Sequence, residues 1–112
     1  MQPEFMYAAA AQGQGDVVSA YTSDGRIALH GLAVLDDPKR VIPPYDAILL
    51  LAPKRAADRA LIGALRPLID AVDVEMMREA NRRAIGQGKN ASPEEAARWL
   101  WSEIERKAGA SR

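Results

Sequence analysis

No cysteine occurs among the 112 residues, and histidine occurs once, at His30. The first absence excludes a disulfide framework, a thiolate metal site and a cysteine nucleophile. The second removes the basis for a histidine metal cluster or a serine–histidine relay. Net charge is missing too, since 15 Lys+Arg offset 15 Asp+Glu. With no positive field to hold a phosphate backbone, general nucleic-acid binding is disfavoured. The longest apolar run, residues 47–52, is far short of the roughly 20 residues a membrane helix needs. Residues 1–4 carry no basic region and residues 5–11 are too short an apolar stretch for a signal peptide. The chain as given is therefore expected to be cytoplasmic if expressed in that form.

What remains is ordinary globular material, 48% hydrophobic and 27% charged. The length fits one small domain, which buries roughly two thirds of its unfolded surface. Residues 3–12 are Ala-rich with Pro3 at a helix start, and Gly13 and Gly15 follow as a stop. Phe5, Met6, Ala9 and Ala10 are expected on the apolar side of that helix. Residues 16–21 read as a strand, rich in β-branched and aromatic types. Residues 22–25 read as a turn on Asp24-Gly25, with 26–30 as a short extended continuation.

Residues 32–35 form a second strand candidate, closed by Asp36, Asp37 and Pro38. The prolines at 43 and 44 exclude regular structure over residues 42–46. Residues 47–52 have the length and apolarity of a strand buried on both faces. From about Ala56 the period becomes helical, with Leu61, Ile62, Leu65, Leu68 and Ile69 in one stripe. Pro67 falls inside it and should kink the helix or begin another. Asp73 is placed to cap a helix running to about Ile85, with Val74, Met77 and Ala80 inward and residues 86–88 as its end. Ser92, Pro93 and Glu95 start a last helix, with Ala96, Leu100, Ile104 and either Trp99 or Trp101 inward, running to about Lys107. Residues 110–112 should fray. The expected class is α/β, with about three strands and four helices.

Few residues suggest chemistry. Gly13 and Gly15 precede a strand, whereas a dinucleotide loop follows one. Asp36–Asp37 and Glu94–Glu95 are adjacent pairs whose side chains diverge, so neither supports a metal site or an acid–base pair. His30 reads as a surface or interface residue. Arg78, Arg82 and Arg83 share a helix with Glu75 and Glu79 and read as a solvated, locally paired face. No nucleophile–base pair supports an enzyme, and no cofactor or metal is expected.

The aromatic residues number six, so their placement carries weight. Tyr21 ends a strand and enters a turn; Tyr45 ends a rigid double-proline loop just before another strand. Each either seals the edge of a core or offers its ring face to a cation.

The stretch GDVVSAYTSDGRI over residues 15–27 resembles a segment of the glycine betaine, carnitine and choline (osmoprotectant) binding proteins of ABC importers. VLDDP at 34–38 and IPPYDA at 42–47 resemble the elements that follow it in that family. MREAN at 77–81 and residues 92–100 resemble its closing helices. The similarity spans about residues 5–101. It implies a partial periplasmic-binding-protein-like fold of type II, incomplete as a monomer. Residues 1–21 would correspond to the end of the second lobe and a crossing strand, 22–108 to the C-terminal part of the first lobe, and 109–112 to a frayed tail.

The resemblance further implies a clamp that traps quaternary ammonium compounds in a cage of rings. Its cage tyrosines match Tyr21 and Tyr45, which lie 24 positions apart as in the family. Thr22 could line the same pocket, and Asp24 with Arg26 would hold the crossover between lobes. An ABC permease is the implied partner, and the parent protein would be periplasmic or otherwise extracytoplasmic. Such clamps take roughly 250 residues for two lobes, so this chain resembles only their last part. The competing expectation is a structural module that self-associates, as a homodimer, to cover an uncovered sheet edge and helix faces.

Overall fold

The computed structural model describes residues 3–86 and 91–110. These residues divide into two units, one of 1–34 with 72–112 and the other Leu35–Ala71.

The first unit is helical. Helix α1, Pro3–Ala11, ends in a glycine cap: Gly13 adopts φ +72°, its amide donates to the Ala10 carbonyl, and the Gln14 amide donates to Ala9. That pair of bonds satisfies carbonyls the helix end would leave open. The inward residue of α1 is Tyr7, 3% exposed, whereas Phe5 is largely solvated. The expected apolar side is thus rotated, because the Tyr7 hydroxyl finds a partner at Asp24.

Residues 25–29 correct a second expectation. They form a short helix, α2 (Gly25–Leu29), in place of an extended continuation. Asp24 is the cause: its Oδ1 accepts from the Arg26 amide at 2.9 Å, which caps the helix start. Ile27 packs inward from α2.

In the Leu35–Ala71 unit a 3₁₀ turn, Pro53–Arg55, precedes α3, Arg59–Leu65. Asp58 caps α3 by accepting from the Leu61 amide at 2.9 Å. Pro67, expected to kink the helix or begin another, lies in a separate 3₁₀ turn, Arg66–Leu68, that starts where the α-helix stops at Leu65. No residue of this unit is buried.

Returning to the first unit, α4 spans Val74–Ile85 and α5 spans Pro93–Ala110. Both starts match the sequence signals. Asp73 Oδ1 accepts from the Met76 amide at 2.8 Å, and Ser92 Oγ accepts from the Glu95 amide at 3.2 Å. The inward positions of α4 are Met76 and Ala80, with Val74 exposed and Met77 half-buried. On α5 Ala96 is buried, Leu100, Ile104 and Trp99 are half-buried, and Trp101 is exposed. Lys107 near the end of α5 reaches Asp73 at the start of α4, Nζ to Oδ2 2.6 Å, as an antiparallel pair requires. Helix α5 continues three residues past the expected Lys107; Gly88, Ser111 and Arg112 lie outside the described residues.

The three strands are the main correction. No β-ladder forms among the described residues, so the expected sheet is not assembled and the α/β class is not reproduced. Residues 47–52, expected to be buried on both faces, are exposed, Leu50 by 83%. Strands exist only as pairs, because each backbone donor and acceptor needs a partner on a neighbour. Apolarity and β-branching mark the segments that suit a sheet, but they do not supply that neighbour.

Candidate ligand site

Tyr21 and Thr22 stand at the head of a turn that three helices hold. The Asp24 amide donates to the Tyr21 carbonyl at 2.9 Å, closing the turn on itself. From α4, Arg78 Nε donates to the Thr22 carbonyl at 2.6 Å and Asn81 Nδ2 to the Ser23 carbonyl at 2.8 Å. From α1, the Tyr7 hydroxyl donates to Asp24 Oδ2 at 2.8 Å. The Arg26 guanidinium completes the cluster, 3.3 Å from Asp24 Oδ2 and 5.9 Å above the Tyr7 ring.

Gly25 makes the approach possible. A β-carbon at this position would fall inside contact distance of the Arg82 amide and the Asn81 carbonyl carbon. Only a residue without one lets α2 lie against the α4 backbone.

The electrostatics of the cluster are fixed by its neighbours. Burial pushes the Asp24 carboxyl up, but the Arg26 amide, the Tyr7 hydroxyl and the Arg26 charge outweigh it and hold the group below the usual carboxylate range. The Tyr7 phenol is pushed up to about 12, first by burial, then by its bond to the Asp24 carboxylate and that group's charge. Around neutral pH the phenol is a donor and the carboxylate an acceptor. The cluster is a structural clasp with no group poised for proton transfer.

Tyr21 and Thr22 are exposed. Tyr45 is 85% exposed and belongs to the other unit, Leu35–Ala71. It follows Pro43 and Pro44 and a loop organised by Asp37, whose backbone carbonyl accepts from Arg40 at 3.0 Å and whose Oδ2 accepts from the Ile42 amide at 2.8 Å. Arg40 takes φ +50° within it. Of the three candidate residues, Tyr21 and Thr22 thus stand on one turn, and Tyr45 on a separate loop.

Asp24 and Arg26 contact each other and Tyr7. Arg82 and Arg83 pair with Glu79 at 2.6 and 2.8 Å, the local pairing expected of that face. Arg78 departs from it by holding Thr22, and Asn81, named only within the MREAN resemblance and given no role there, holds Ser23. A signal for Asn81 existed: an amide in a helix interior is a poor helix former that calls for a specific bond.

A cleft of about 330 Å³ lies between α4 and α5, lined by Arg83, Glu95, Arg98, Trp99 and Ser102. The Arg83 guanidinium sits 4.3 Å above the Trp99 ring and Arg98 lies 3.6 Å from Glu95, so its charges are internally matched. Neither tyrosine nor Thr22 lines it. Among the described residues no group of three or more His, Asp or Glu gathers to hold a metal ion, and no helix is long and apolar enough to cross a membrane.

Comparison with known proteins gives the turn its context. Residues 1–103 match the family described as the substrate binding domain of ABC-type glycine betaine transport systems, OpuAC. The chain belongs to this family. It is also 33% identical, over 93 residues, to the carnitine transport binding protein OpuCC of Listeria monocytogenes serotype 1/2a (strain 10403S), and equally to that of Listeria monocytogenes. The aligned stretch is 82% of this chain but 30% of each relative. No solved structure matches. The family implies a periplasmic-binding-protein-like fold, of which this chain spans a part.

Proposed function

We propose that the chain contributes to a binding site for quaternary ammonium osmoprotectants, of the glycine betaine, choline and carnitine class, that serves ABC-type import. The observation that carries this reading is the family match over residues 1–103. The relatives' name, a carnitine transport binding protein, supports the ligand class. The work of such a protein is binding alone, without catalysis. An ABC permease receives the loaded protein, and the site operates outside the cytoplasmic membrane.

Tyr21, with Thr22 next to it in the turn, is the ring this reading assigns to a trimethylammonium head in its own unit, and Tyr45 is the ring it assigns in the unit Leu35–Ala71. An exposed ring contributes about 0.5–1 kcal/mol to holding a cation. One such ring falls well short of the roughly 4 kcal/mol of a millimolar complex. Other groups must supply the difference. The test is calorimetric titration of the chain with glycine betaine, choline and carnitine, with sodium chloride as the ionic control. Saturable heat with a trimethylammonium compound supports the reading; no heat at millimolar ligand overturns it for this chain.

A second reading rests on a separate observation. Residues 47–52 are apolar and exposed, and no residue of their unit is buried. Self-association through such a segment, as a homodimer, would cover it. Light scattering decides: a mass twice 12.2 kDa supports it and a monomer overturns it.

A further inference from the structure

Four consecutive carbonyls, those of Tyr21, Thr22, Ser23 and Asp24, all accept hydrogen bonds. The donors are the Asp24 amide, Arg78 Nε, Asn81 Nδ2 and the Ile27 amide, at 2.9, 2.6, 2.8 and 3.2 Å. Two of the four are local, as in any capped turn. The other two come from side chains 56 and 58 positions along the chain. A turn that only joined two segments could leave the Thr22 and Ser23 carbonyls to water. Here one helix face, with Arg78 and Asn81 one turn apart, is committed to them.

The consequence falls on the side chains. A held oxygen restrains the rotation of its peptide plane: the Asp24 amide holds the plane after Tyr21 within the turn, Arg78 holds the plane after Thr22 and Asn81 the plane after Ser23. The ψ of Thr22 and of Ser23 is thereby set from α4, and Tyr21 follows through the closed turn. We propose that Arg78 is a positioning residue for Thr22 and, through the turn, for Tyr21, with Asn81 anchoring the next plane so that the turn is held against the frame of α4. This assignment rests on the proposed ligand reading for its purpose, though not for its geometry. Arg78 suits the task because its Nε–H lies in a rigid planar group, whereas a lysine ammonium has no preferred direction.

Two variants of the full chain test it. Asn81→Asp keeps the shape of the side chain and removes its donor at neutral pH. Arg78→Met keeps most of the stem and removes the other donor. The readout is amide hydrogen exchange, which reports local opening. A lost bond to a charged donor, worth about 1.5 kcal/mol, corresponds to about a tenfold rise in exchange, and one to a neutral amide, worth about 1 kcal/mol, to about fivefold. We expect Asp24 and Ile27 amides to exchange about tenfold faster in Arg78→Met and about fivefold faster in Asn81→Asp, with α5 amides within about twofold of wild type.

A general stabilising role would loosen the turn and α5 together, and that result overturns the proposal. So does unchanged exchange at Asp24. If Asn81→Asp does not fold, the exposed-side Arg78→Met decides by the same readout. Choline titrated into wild type and Arg78→Met then separates the two claims. Binding lost only in the variant supports both. Absence of binding in wild type sinks the ligand reading, while the exchange data still decide the positioning one.

Discussion

The Tyr7 hydroxyl donates to Asp24 Oδ2 at 2.8 Å, joining α1 to the cap of α2 across 17 positions of sequence. Tyr7 is among the few buried large side chains, and its hydroxyl has an ionised acceptor. Asp24 in turn serves three donors: the Arg26 amide, the Arg26 guanidinium and Tyr7. One carboxylate therefore ties the end of the 16–24 segment to helices on either side of it.

Tyr7→Phe keeps the ring and removes the bond. A hydrogen bond to a charged group contributes about 1.5–3 kcal/mol, and Asp24 retains its Arg26 partners. The expected loss is about 1–2 kcal/mol in urea unfolding, with the slope unchanged. Tyr7→Ala also opens a cavity and should cost about 3–5 kcal/mol. Equal stability of Tyr7→Phe and wild type would show that the clasp contributes nothing.

The same pair sets a pH dependence on both flanks. Tyr7 is raised from 10.0 to about 12 in the fold. Its contribution is complete below pH 10 and is lost as pH rises from 10 through 12, because the unfolded chain ionises first. Asp24 is lowered, so its contribution is complete above the ordinary carboxylate value of about 3.9 and is lost as pH falls below that value. The stability difference between wild type and Tyr7→Phe should be flat from about pH 6 to 9. It should shrink on both sides of that plateau, and a difference unchanged at pH 11 would contradict the assignment.

Gly25→Ala places a methyl against the α4 backbone at Asn81 and Arg82. Backbone cannot yield as a side-chain tip does, so α2 and α4 must separate. The expected cost is at least about 2–3 kcal/mol, the upper range for overpacking. Thermal unfolding followed by circular dichroism measures it. The Arg78 and Asn81 bonds to residues 22 and 23 should loosen in the same variant, visible as faster exchange at Asp24.

The capped helices were legible in the sequence, and the sheet was not. Asp73, Ser92–Pro93 and Gly13 act through bonds that span three to five positions, so local pattern is sufficient to place them. Asp24 was read as a turn residue, and the same acceptor capacity instead starts α2. Residues 47–52 failed for the opposite reason. A strand is defined by a partner distant in sequence, and six apolar residues do not specify one. The candidate site divides the same way. Tyr21 and Thr22 were found from a motif, whereas Arg78 and Asn81 act over more than 50 positions. Glu75, three positions before it, was the acidic partner for Arg78 that helical spacing could suggest.

Asp73 has two separable roles, capping α4 and pairing with Lys107. The Lys107 ammonium, then the Met76 amide, hold its carboxyl below the usual range. Asp73→Asn keeps a cap and removes the ion pair; Asp73→Ala removes both. An exposed pair contributes about 0–1 kcal/mol and a cap about 1 kcal/mol. Asp73→Asn should therefore fall within about 0.5 kcal/mol of wild type, and Asp73→Ala about 1 kcal/mol or more below it. High salt should narrow both gaps by the ion-pair share and leave the difference between Asp73→Asn and Asp73→Ala unchanged.

The ring assignment makes the last prediction. If Tyr21 and Tyr45 act through their ring faces, the hydroxyls are dispensable and the π-systems are not. Tyr21→Phe and Tyr45→Phe should hold choline within about 1.5-fold of wild type, while either alanine variant should weaken it by about 2- to 5-fold, the equivalent of 0.5–1 kcal/mol for an exposed ring. Tryptophan, the stronger cation partner, should match or exceed tyrosine. The isosteric control is 3,3-dimethylbutanol, which has the shape of choline without its charge. A cation–π site rejects it, whereas an apolar pocket accepts both. Alanine variants that lose the two ligands equally would reduce the tyrosines to hydrophobic surface, and the cage reading would fall with them.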